Sequence, residues 1–544
     1  MSVHQPFSVA RILPASSTTS GAQSLFDYFE KTPAQLTDNL DDAKAALVIG
    51  SVSADCWQQL SKFAQAGGTL FFINDPDQQD GIPQKLFGGM PCEPYSECEV
   101  RVLPTKADNP LVNRLGDAFY MTGRFQPIDV QDDSVETVFY ADWRYTHQAM
   151  ITRKAVGEGQ AIMCTLHDYE NEAFQRIVYR MLHEAAAPQI SKTLGVGLLG
   201  YAPSVGQLHG SGAAATYGLR LAMACDLSDE RLAAAKEHFP DIITTKDSND
   251  LITSDDVDIV IIATAPNSHA RLAMQMLEAG KHVICEKPLA LTKEETDGMM
   301  RLAAEKRLHV SCHQNRRWDS DFLAIQNAVN AGWLGDVFYL ETFIGGYGHP
   351  CGYWHSHDVV SGGTTFDWGA HYLDWMLALI PEKIVGVMGT RQNRSWHDVT
   401  NADHERIFLR YANGAEAEFT HSDLVFIPKP KWFMSGDKGT IVGHWKEHTA
   451  YEIDPVVYYH KHEIPPAELG ANIELKRKTS AGIFTQALPE VTHQPFPFHS
   501  NLADYLLLGE PITVPVSHSA RVVEILEAAK ISAENGGALQ DVEI

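Results

Sequence analysis

The sequence predicts an α/β fold made of two successive α/β domains and a C-terminal α+β domain. First, short apolar runs alternate with helix-length segments between residues 45 and 312, an order typical of parallel sheets. Second, a glycine-rich turn at residues 200–206 directly follows one of these runs. Third, longer strand-like segments gather after residue 337, and these predict an open, mostly antiparallel sheet.

Length and composition limit the possible functions. At 544 residues the chain is too long for one hydrophobic core, and we place domains at residues 1–190, 191–312 and 313–544. The net charge of −26 argues against nucleic acid as a partner, because there is no basic surplus to displace counterions. No stretch is apolar and long enough to cross a membrane, and no secretory signal is visible. With eight cysteines and no CxxC pair, we expect a cytoplasmic protein.

The N-terminal region has the pattern of an α/β unit. Strands are predicted at Ala45–Gly50, Thr69–Ile73 and Gln160–Leu166, and helices at Cys56–Gln65 and Asn171–Ala185. The stretches GGTLFFINDP and GEGQAIMCTLHDYENEAFQRIVYRML resemble the ThuA-like branch of the class I amidotransferase-like fold. This resemblance covers most of the region and implies an N-terminal ThuA-like α/β domain.

Catalysis is not expected in this first domain. The region lacks the Gly-x-Cys-x-Gly turn that presents a nucleophile. His147, His167 and Asp168 could act as ligands or bases, but isolated polar residues at strand ends are more often structural. We therefore expect a domain that serves assembly or forms a wall of the substrate site.

The segment from Asp258 to Pro288 contains the strongest functional signal. An apolar run at Ile259–Ala263 predicts a buried strand, and a helix that ends at Gly280 follows it. A second strand, His282–Cys285, leads into Glu286-Lys287-Pro288. Ligands of open α/β sheets bind just past the carboxyl ends of the strands, so Lys287 is predicted to lie where chemistry takes place.

The glycine-rich turn is a variant of the dinucleotide-binding fingerprint. Gly200 follows a strand and Gly206 lies in the next helix, but Ala202 replaces the middle glycine and the loop is one residue longer. Asp226 ends the next strand, where a carboxylate would bind both ribose hydroxyls and repel a 2′-phosphate. No arginine follows at positions 227–229, so NAD is favoured over NADP. The alternative is that Asp226 caps the helix that begins near Ser228.

Together these motifs identify a family resemblance. The loop at 200–209, Asp226, the stretch ATAPNSH at 263–269 and Glu286-Lys287-Pro288 resemble the Gfo/Idh/MocA oxidoreductases, over roughly residue 194 to the C-terminus. The altered glycine loop is the main departure. The resemblance implies a Rossmann domain that binds NAD, and a C-terminal sheet whose open face forms a homo-oligomer, a dimer or tetramer. The implied cofactor-binding residues are Gly200, Ala202, Gly206, Asp226, Ala265, Pro266, Asn267, His269, Glu286 and Lys287.

Asp367 and His371 are the predicted partners of Lys287. Four residues apart at the start of a helix, both side chains lie on one face. In the family, a DxxxH pair faces the nicotinamide across from the lysine of the EKP motif. His371 would then act as the general base, Lys287 would hold the substrate oxygen, and Asp367 would orient the substrate. The alternative is an ordinary N-terminal aspartate with a packed histidine.

Substrate contacts are predicted from the remaining polar and aromatic residues of this half. Arg317 and four residues of the glycine- and aromatic-rich loop at 345–363 are candidates for binding sugar hydroxyls or the nicotinamide ribose: Tyr353, Trp354, His355 and His357. His355 and His357 could suggest a metal, but such clusters in loops more often form hydrogen bonds. We expect no required metal.

These features predict an NAD-dependent dehydrogenase acting on a ring hydroxyl of a sugar, glycoside or cyclitol. Oxidation at C3 of a glucoside is favoured by analogy, since a ThuA-like unit beside this family is similar to the paired trehalose-utilisation proteins. A redox-neutral glycoside hydrolase or lyase, working through a 3-keto intermediate with retained NAD, is the main alternative. A non-enzymatic sensor is a third, which the intact Lys287, Asp367 and His371 set disfavours.

Overall fold

The computed structural model describes residues 4–13, 21–77, 81–95, 97–106, 111, 119–143, 146–187, 193–202, 205–350, 354–446, 470–488, 491 and 495–544. The chain forms two compact units. The N-terminal unit comprises Ser2–Lys192 together with Ser500–Pro511, and the second unit comprises Thr193–His499 and Ile512–Ile544. The short segment Ser500–Pro511, which lies within the predicted third domain, thus packs with the N-terminal unit.

The N-terminal unit contains a nine-stranded mixed sheet in the order β2-β1-β3-β4-β11-β10-β9-β6-β7, beside a two-stranded pair, β5-β8. The first five strands in this order are parallel and the others antiparallel. The strands are β1 (Phe7–Ile12), β2 (Ala34–Thr37), β3 (Ala45–Ile49), β4 (Thr69–Ile73), β5 (Gly89–Pro91), β6 (Glu97–Pro104), β7 (Phe119–Arg124), β8 (Ile128–Val130), β9 (Glu136–Trp143), β10 (Thr146–Val156) and β11 (Gly159–Cys164).

Helices cover the parallel part of this sheet. They are α1 (Gln23–Glu30), α2 (Ala54–Gln65), α3 (Gln84–Phe87) and α4 (Glu172–Ala186). Every residue of β3 and β4 is buried, because each strand has apolar neighbours on both faces. The side chains of Ser53 and Asn171 cap α2 and α4 by accepting from the amides of Cys56 and Phe174.

The predicted strands and helices of this unit are present within one or two residues of their expected ends. Strands β1, β2 and β5 to β10 were not predicted, because their partly exposed faces interrupt the apolar runs on which the prediction relied. The ThuA-like assignment of this domain stays a prediction.

The second unit begins with a six-stranded parallel sheet in the order β14-β13-β12-β15-β16-β17, which confirms the predicted Rossmann domain. Its strands are β12 (Leu194–Leu199), β13 (Leu219–Cys225), β14 (Ile243–Thr245), β15 (Ile259–Ile262), β16 (His282–Cys285) and β17 (Val310–Cys312). Its helices are α5 (Val205–Ala215), α6 (Asp229–His238), α7 (Asn249–Thr253), α8 (His269–Glu278) and α9 (Lys293–Lys306).

The rest of this unit contains a nine-stranded sheet in the order β25-β24-β23-β22-β18-β21-β20-β19-β26. All strand pairs are antiparallel except β18 with β21, as the sequence predicted in general form. The strands are β18 (Val337–Gly345), β19 (Ile384–Gln392), β20 (His404–Tyr411), β21 (Glu416–Ser422), β22 (Trp432–Gly436), β23 (Gly439–His444), β24 (Asn472–Thr479), β25 (Gly482–Gln486) and β26 (Gln540–Asp541).

Helices pack on one face of this sheet around a large aromatic core that includes Trp375, Trp432 and Phe419. The helices from here to the C-terminus are α10 (Ser320–Asn330), α11 (Asp358–Ser361), α12 (Ala370–Leu379), α13 (Pro497–Leu508) and α14 (Val516–Glu534). A π-helical segment, Thr365–Gly369, leads directly into α12. None of the helices in the described part of the chain is long and apolar enough to cross a membrane.

Candidate active site

The glycine loop approaches the neighbouring strand closely enough to exclude larger residues. Gly200 has a φ of +97°, and a Cβ there would lie 2.5 Å from the carbonyl oxygen of Ala263. A Cβ on Gly206 would lie 2.8 Å from the Cα of Tyr201. Ala202 accepts a hydrogen bond from the Gly206 amide at 2.8 Å, which closes the loop onto the start of α5. The loop is therefore built for close approach of a ligand to backbone and to a helix N-terminus, which suits a pyrophosphate.

Asp226 lies beside this loop and is not a helix cap. Its Oδ2 accepts from the amide of Tyr201 at 2.7 Å, and its Oδ1 accepts from the amide of Ser228 at 2.9 Å. The N-cap of α6 is Ser228. The guanidinium of Arg231 lies 3.5 Å from Asp226, one turn into α6, and this neighbour was missed because only positions 227–229 were considered.

The segment after β15 is held by a histidine ring. Ala265 precedes a 3-10 turn, Pro266–Ser268, in which Asn267 is exposed. The ring nitrogens of buried His269 lie 2.8 Å from the carbonyl oxygen of Pro288 and 3.0 Å from that of Thr264. Both nitrogens thus face backbone carbonyls, and a neutral ring donates to one of them. The predicted contact of His269 with the cofactor stays a prediction.

Glu286 is the centre of a buried hydrogen-bond network that the sequence did not reveal. Its Oε1 accepts from Nε2 of His209 at 2.9 Å and from Nδ1 of His313 at 2.7 Å. Nδ1 of His209 lies 3.1 Å from Nε2 of His499. The second carboxylate oxygen of Glu286, Oε2, accepts from the amide of Lys287 at 3.1 Å. Burial alone would raise the pKa of Glu286, but His313 and His209 hold it well below its ordinary value.

In the described ranges, His209, Glu286 and His313 are the one group with the residue types and spacing to hold a metal ion. The same three side chains already satisfy each other by hydrogen bonds. We interpret the group as a network that fixes the end of β16, from which Lys287 projects. No motif in the sequence marks this network, because Glu286 and His313 follow the ends of β16 and β17 while His209 lies in α5.

Lys287 and Asp367, 80 residues apart in the chain, form an ion pair. The Lys287 ammonium also donates to the carbonyl oxygen of Asp367 at 3.3 Å and lies 5.9 Å from the ring centre of Trp368. Their side chains are 22% and 23% exposed, so a ligand can reach both. The structure thus brings together two of the three predicted catalytic residues.

His371, the third predicted catalytic residue, has a defined tautomer. The side-chain amide nitrogen of Gln314 donates to the carbonyl oxygen of Ala370 at 3.0 Å, which turns its Oε1 toward His371. Nδ1 of His371 therefore donates to that oxygen, at 3.0 Å. Nε2 has no hydrogen-bond partner among the described residues. That nitrogen is left with a lone pair, as a base requires.

The charges of the site favour an ionised carboxylate and a neutral imidazole. Burial would raise the pKa of Asp367, but Lys287 and His355 bring it below its ordinary value. Burial, followed by the charges of Lys287 and Arg316, lowers the pKa of His371 well below its ordinary value. At neutral pH, His371 can therefore accept a proton.

The helix geometry differs from the predicted one. Asp367 lies in the π-helical segment, and His371 is the second residue of α12. The wider turn displaces Asp367 from a regular α-helical face. Single π turns occur often at functional sites, and this one directs Asp367 toward Lys287.

The predicted substrate residues have different surroundings. His355 stacks on Trp354 at 3.8 Å, and its Nδ1 lies 3.9 Å from Oδ2 of Asp367, so both are close to the catalytic pair. Tyr353 lies outside the described residues. Arg317 is buried in an ion pair with Asp374 and lies 3.0 Å from Nδ1 of His518. Its guanidinium thus contacts both Asp374 and His518, and a role in sugar binding stays a prediction.

Arg316 is the arginine that reaches the site. Its guanidinium lies 5.3 Å from the ring centre of Trp368, the ring that also faces Lys287. Arg316 precedes the predicted residue Arg317 in the turn at Asn315–Trp318 and was not among the predicted site residues.

Two family models match this chain. Residues 194–314 match an oxidoreductase family with an NAD-binding Rossmann fold, and residues 322–442 match the GFO/IDH/MocA C-terminal domain. These matches coincide with the Rossmann sheet and with a large part of the C-terminal sheet.

Individual relatives agree with the family models. The chain is similar to scyllo-inositol 2-dehydrogenase (NADP(+)) IolW of Bacillus subtilis (strain 168), at 25% identity over 63% of this chain and 94% of the relative. It is similar to myo-inositol 2-dehydrogenase of Thermotoga maritima, at 28% identity over 35% of this chain and 57% of the relative. The crystal structure of an NAD-binding protein from Listeria innocua is similar with a TM-score of 0.55 and 27% identity, covering 64% of this chain and 97% of that structure.

Proposed function

Because residues 194–314 and 322–442 match models of the Gfo/Idh/MocA oxidoreductase family, we propose that this enzyme oxidises a secondary ring hydroxyl of a cyclitol, sugar or glycoside with NAD. The observation on which the proposal depends is the Lys287–Asp367 pair at the carboxyl edge of the Rossmann sheet, together with His371, which Gln314 holds just past the end of β17. The names of the two inositol dehydrogenases among its relatives support a cyclitol or a similar polyol ring.

The glycine loop and Asp226 fit NAD. Gly200 and the start of α5 would receive the pyrophosphate, and Asp226 the adenosine ribose. Ala265 to Asn267 and Glu286 lie at the same sheet edge, toward Lys287. When bound, NAD accepts the hydride that leaves the alcohol carbon.

The protein side chains would bind the oxygen of the alcohol and accept its proton. Lys287 would donate a hydrogen bond to the hydroxyl oxygen and stabilise the negative charge that develops there. His371 would take the hydroxyl proton at Nε2, while Gln314 holds Nδ1 and fixes the tautomer. Asp367 would position Lys287, and its charge keeps the ammonium in place. The three residues thus have separate tasks.

The position of oxidation is a finer proposal. For a glucoside we propose C3, by the analogy of a ThuA-like unit beside this family with the paired trehalose-utilisation proteins. A ketone at C3 acidifies the neighbouring C–H bond. A redox-neutral hydrolase or lyase would use that acidity to expel the C1 substituent and would return the hydride, so its NADH would not accumulate.

The test is a substrate screen. The purified protein is incubated with NAD and, separately, with myo-inositol, scyllo-inositol, glucose, trehalose and methyl glucosides. Absorbance of reduced nicotinamide is recorded and the sugar products are separated by chromatography. We expect NADH with at least one substrate, whereas glycoside cleavage without NADH would select the redox-neutral reaction. No conversion of any kind would contradict the proposal.

Lys287→Ala should lower kcat by at least about a hundredfold, since one donor to a developing oxyanion is worth about that much. NAD binding, followed by fluorescence titration, should change little because the ammonium contacts Asp367 and not the glycine loop. Lys306→Ala, which removes an exposed lysine paired with Glu278, is the matched control and should leave kcat unchanged. A Lys287→Ala enzyme of normal activity would remove Lys287 from the mechanism.

A further inference from the structure

A second polar group lies at the end of β21, where the glycine- and aromatic-rich loop leaves the sheet. The amide of Gly346 donates to the carbonyl oxygen of Ser422 at 3.0 Å, and the amide of Gly348 donates to that of Asp423 at 3.1 Å. His421 and Asp423 flank Ser422. They therefore lie at the base of the loop that also contains His355.

The strand register directs His421 toward the segment that contains Asp367. His421 is directly opposite Glu405 of β20, and opposite residues of an antiparallel pair lie on the same face of the sheet. The carboxylate of Glu405 accepts from the amide of Thr365 at 3.0 Å. Thr365 begins the π-helical segment, so His421 faces the side of the sheet on which Asp367 lies.

Asp423, two residues after His421, lies on the same face of the sheet, because side chains along a strand alternate between the two faces. Its amide donates to the carbonyl oxygen of Asp403 at 2.8 Å, which extends the β20–β21 pairing by one step. Nε2 of His421 lies 3.5 Å from Oδ1 of Asp423. The side chain of Asp423 is 20% exposed, so the group can be reached from solvent.

His421 is buried with an incomplete set of hydrogen bonds. Its side chain is 5% exposed, and Nδ1 has no hydrogen-bond partner among the described residues. A buried polar atom without a partner destabilises the free protein. A ligand hydroxyl can both donate and accept, so it could bind either the imidazole or the carboxyl group of this pair.

The charge state of the pair suits a neutral ligand. Burial lowers the pKa of His421 to about 4, so its ring is uncharged near neutral pH. Burial, with the nearby Asp403 and Glu405, raises the pKa of Asp423 to about 7. An uncharged imidazole beside a carboxyl group that is partly protonated recognises hydroxyls better than ions.

We propose that His421 and Asp423 form a second subsite that binds a ring hydroxyl other than the one that is oxidised. The inference rests on the proposed function, because it requires a polyhydroxylated ring held at Lys287. The substrate would then be a ring with hydroxyls at two or more positions, one bound at Lys287 and another at His421 and Asp423.

The experiment compares His421→Phe and Asp423→Leu, which keep approximate shape and remove the hydrogen bonds, with the exposed control His444→Phe. Initial rates are measured with the polyol that the wild type oxidises best and with each of its singly deoxygenated analogues. Thermal melting and NAD titration of every variant identify those that fail to fold.

We expect kcat/KM for the parent polyol to fall about tenfold in both variants and not in the control, as for loss of one hydrogen bond. For one deoxygenated analogue, the wild type and the His421→Phe variant should have equal kcat/KM, because the hydroxyl that His421 would bind is absent. The subsite would be overturned if the variants lost kcat/KM equally for every analogue, or lost none for the parent polyol. The dehydrogenase proposal would then stay intact. A wild type that oxidises no member of the screen would overturn both.

If His421→Phe does not fold, Asp423→Leu decides the question alone, since Asp423 is the more exposed member of the pair. The ratio of kcat/KM for the parent polyol to kcat/KM for the deoxygenated analogue should be lower in that variant than in the wild type. An unchanged ratio would contradict the proposal.

Discussion

At the scale of single residues, adjacent side chains in the same motif have different tasks. Glu286 is held by two histidines, while Lys287 extends to Asp367. Arg317 is paired with buried Asp374, while Arg316 lies over Trp368. In both motifs the neighbour of a site residue fixes the backbone from which that residue projects.

Asp226 should determine the preference between the two nicotinamide cofactors. Asp226→Ser removes the carboxylate that would repel a 2′-phosphate, and it leaves Arg231 free to bind that phosphate. We expect the ratio of kcat/KM for NADP to that for NAD to rise by about tenfold or more. Asp229→Ser, a change at an exposed carboxylate paired with Lys246, should leave the ratio unchanged. A ratio that does not move would place Asp226 outside the ribose site.

His371 should set the acid limb of the pH–rate profile well below the ordinary histidine pKa. Burial and the charges of Lys287 and Arg316 lower that pKa, so removing Arg316 should raise it. In Arg316→Met the acid limb of kcat/KM should therefore move to higher pH, whatever the change in maximal rate. Arg301→Met, at an exposed position of α9, is the control. An acid limb that stays in place would exclude His371 as the titrating base.

At the scale of elements, strand ends and one irregular turn build the site. The parallel register of β12, β15, β16 and β17 brings Gly200, Ala263, Glu286 and His313 to one edge of the sheet. The π-helical segment then sets Asp367 across from Lys287. A regular sheet thus positions one half of the site and a local irregularity the other half.

The segment Ser500–Pro511 should be required for the N-terminal unit. Arg176 and Arg180 of α4 form a buried cluster with Asp504 and Glu510 of this segment, and Tyr179 donates to the carbonyl oxygen of Leu508 at 2.6 Å. Glu510→Gln leaves two buried guanidinium groups without one of their carboxylates, so the unit should lose about 3–5 kcal/mol of stability.

The measurement for this variant is hydrogen exchange of α4, followed by mass spectrometry, because it reports on the N-terminal unit alone. Asp38→Asn, which breaks an exposed ion pair with Arg11, should change the exchange little. Unchanged protection of α4 in Glu510→Gln would show that the cluster is not needed for stability.

At the scale of the whole molecule, buried histidines should make the protein sensitive to acid. Burial lowers the pKa of His209, His269, His371 and His499, lowers that of His421 to about 4, and lowers that of His309 to about 3. These rings stay neutral in the fold but take up protons in the unfolded chain below about pH 6.5. The unfolded state then binds more protons, so stability is full above that pH and falls as the pH drops toward the folded pKa values.

Calorimetry should show a Tm that falls steadily from pH 7 to pH 5. Each such histidine contributes up to about 1.4 kcal/mol per pH unit, so His309→Leu should make the slope shallower by about one proton. His444→Leu, at an exposed position, should not change the slope. A Tm independent of pH in this range would mean that the histidines are not buried as described.

The sequence by itself determined the Rossmann domain, the end of β16 with Lys287, and the candidate pair Asp367 and His371. These follow from local rules: apolar runs become buried strands, glycine permits the turn after β12, and strand ends meet at one edge. It could not reveal that Arg317 pairs with Asp374 or that the His269 ring lies between two backbone carbonyls. Nor could it reveal that His209 and His313 both bind Glu286, or that His209 contacts His499.

Apart from the contact of His269 with Thr264, those contacts join residues 19 to 290 positions apart, so only the tertiary structure decides them. The role of a side chain depends on the groups that surround it in the folded protein. A buried polar atom without a hydrogen-bond partner lowers the stability of the fold, so buried polar side chains are paired with one another. Local pattern therefore specified where the strands end, and packing specified which of the side chains there remain available for chemistry.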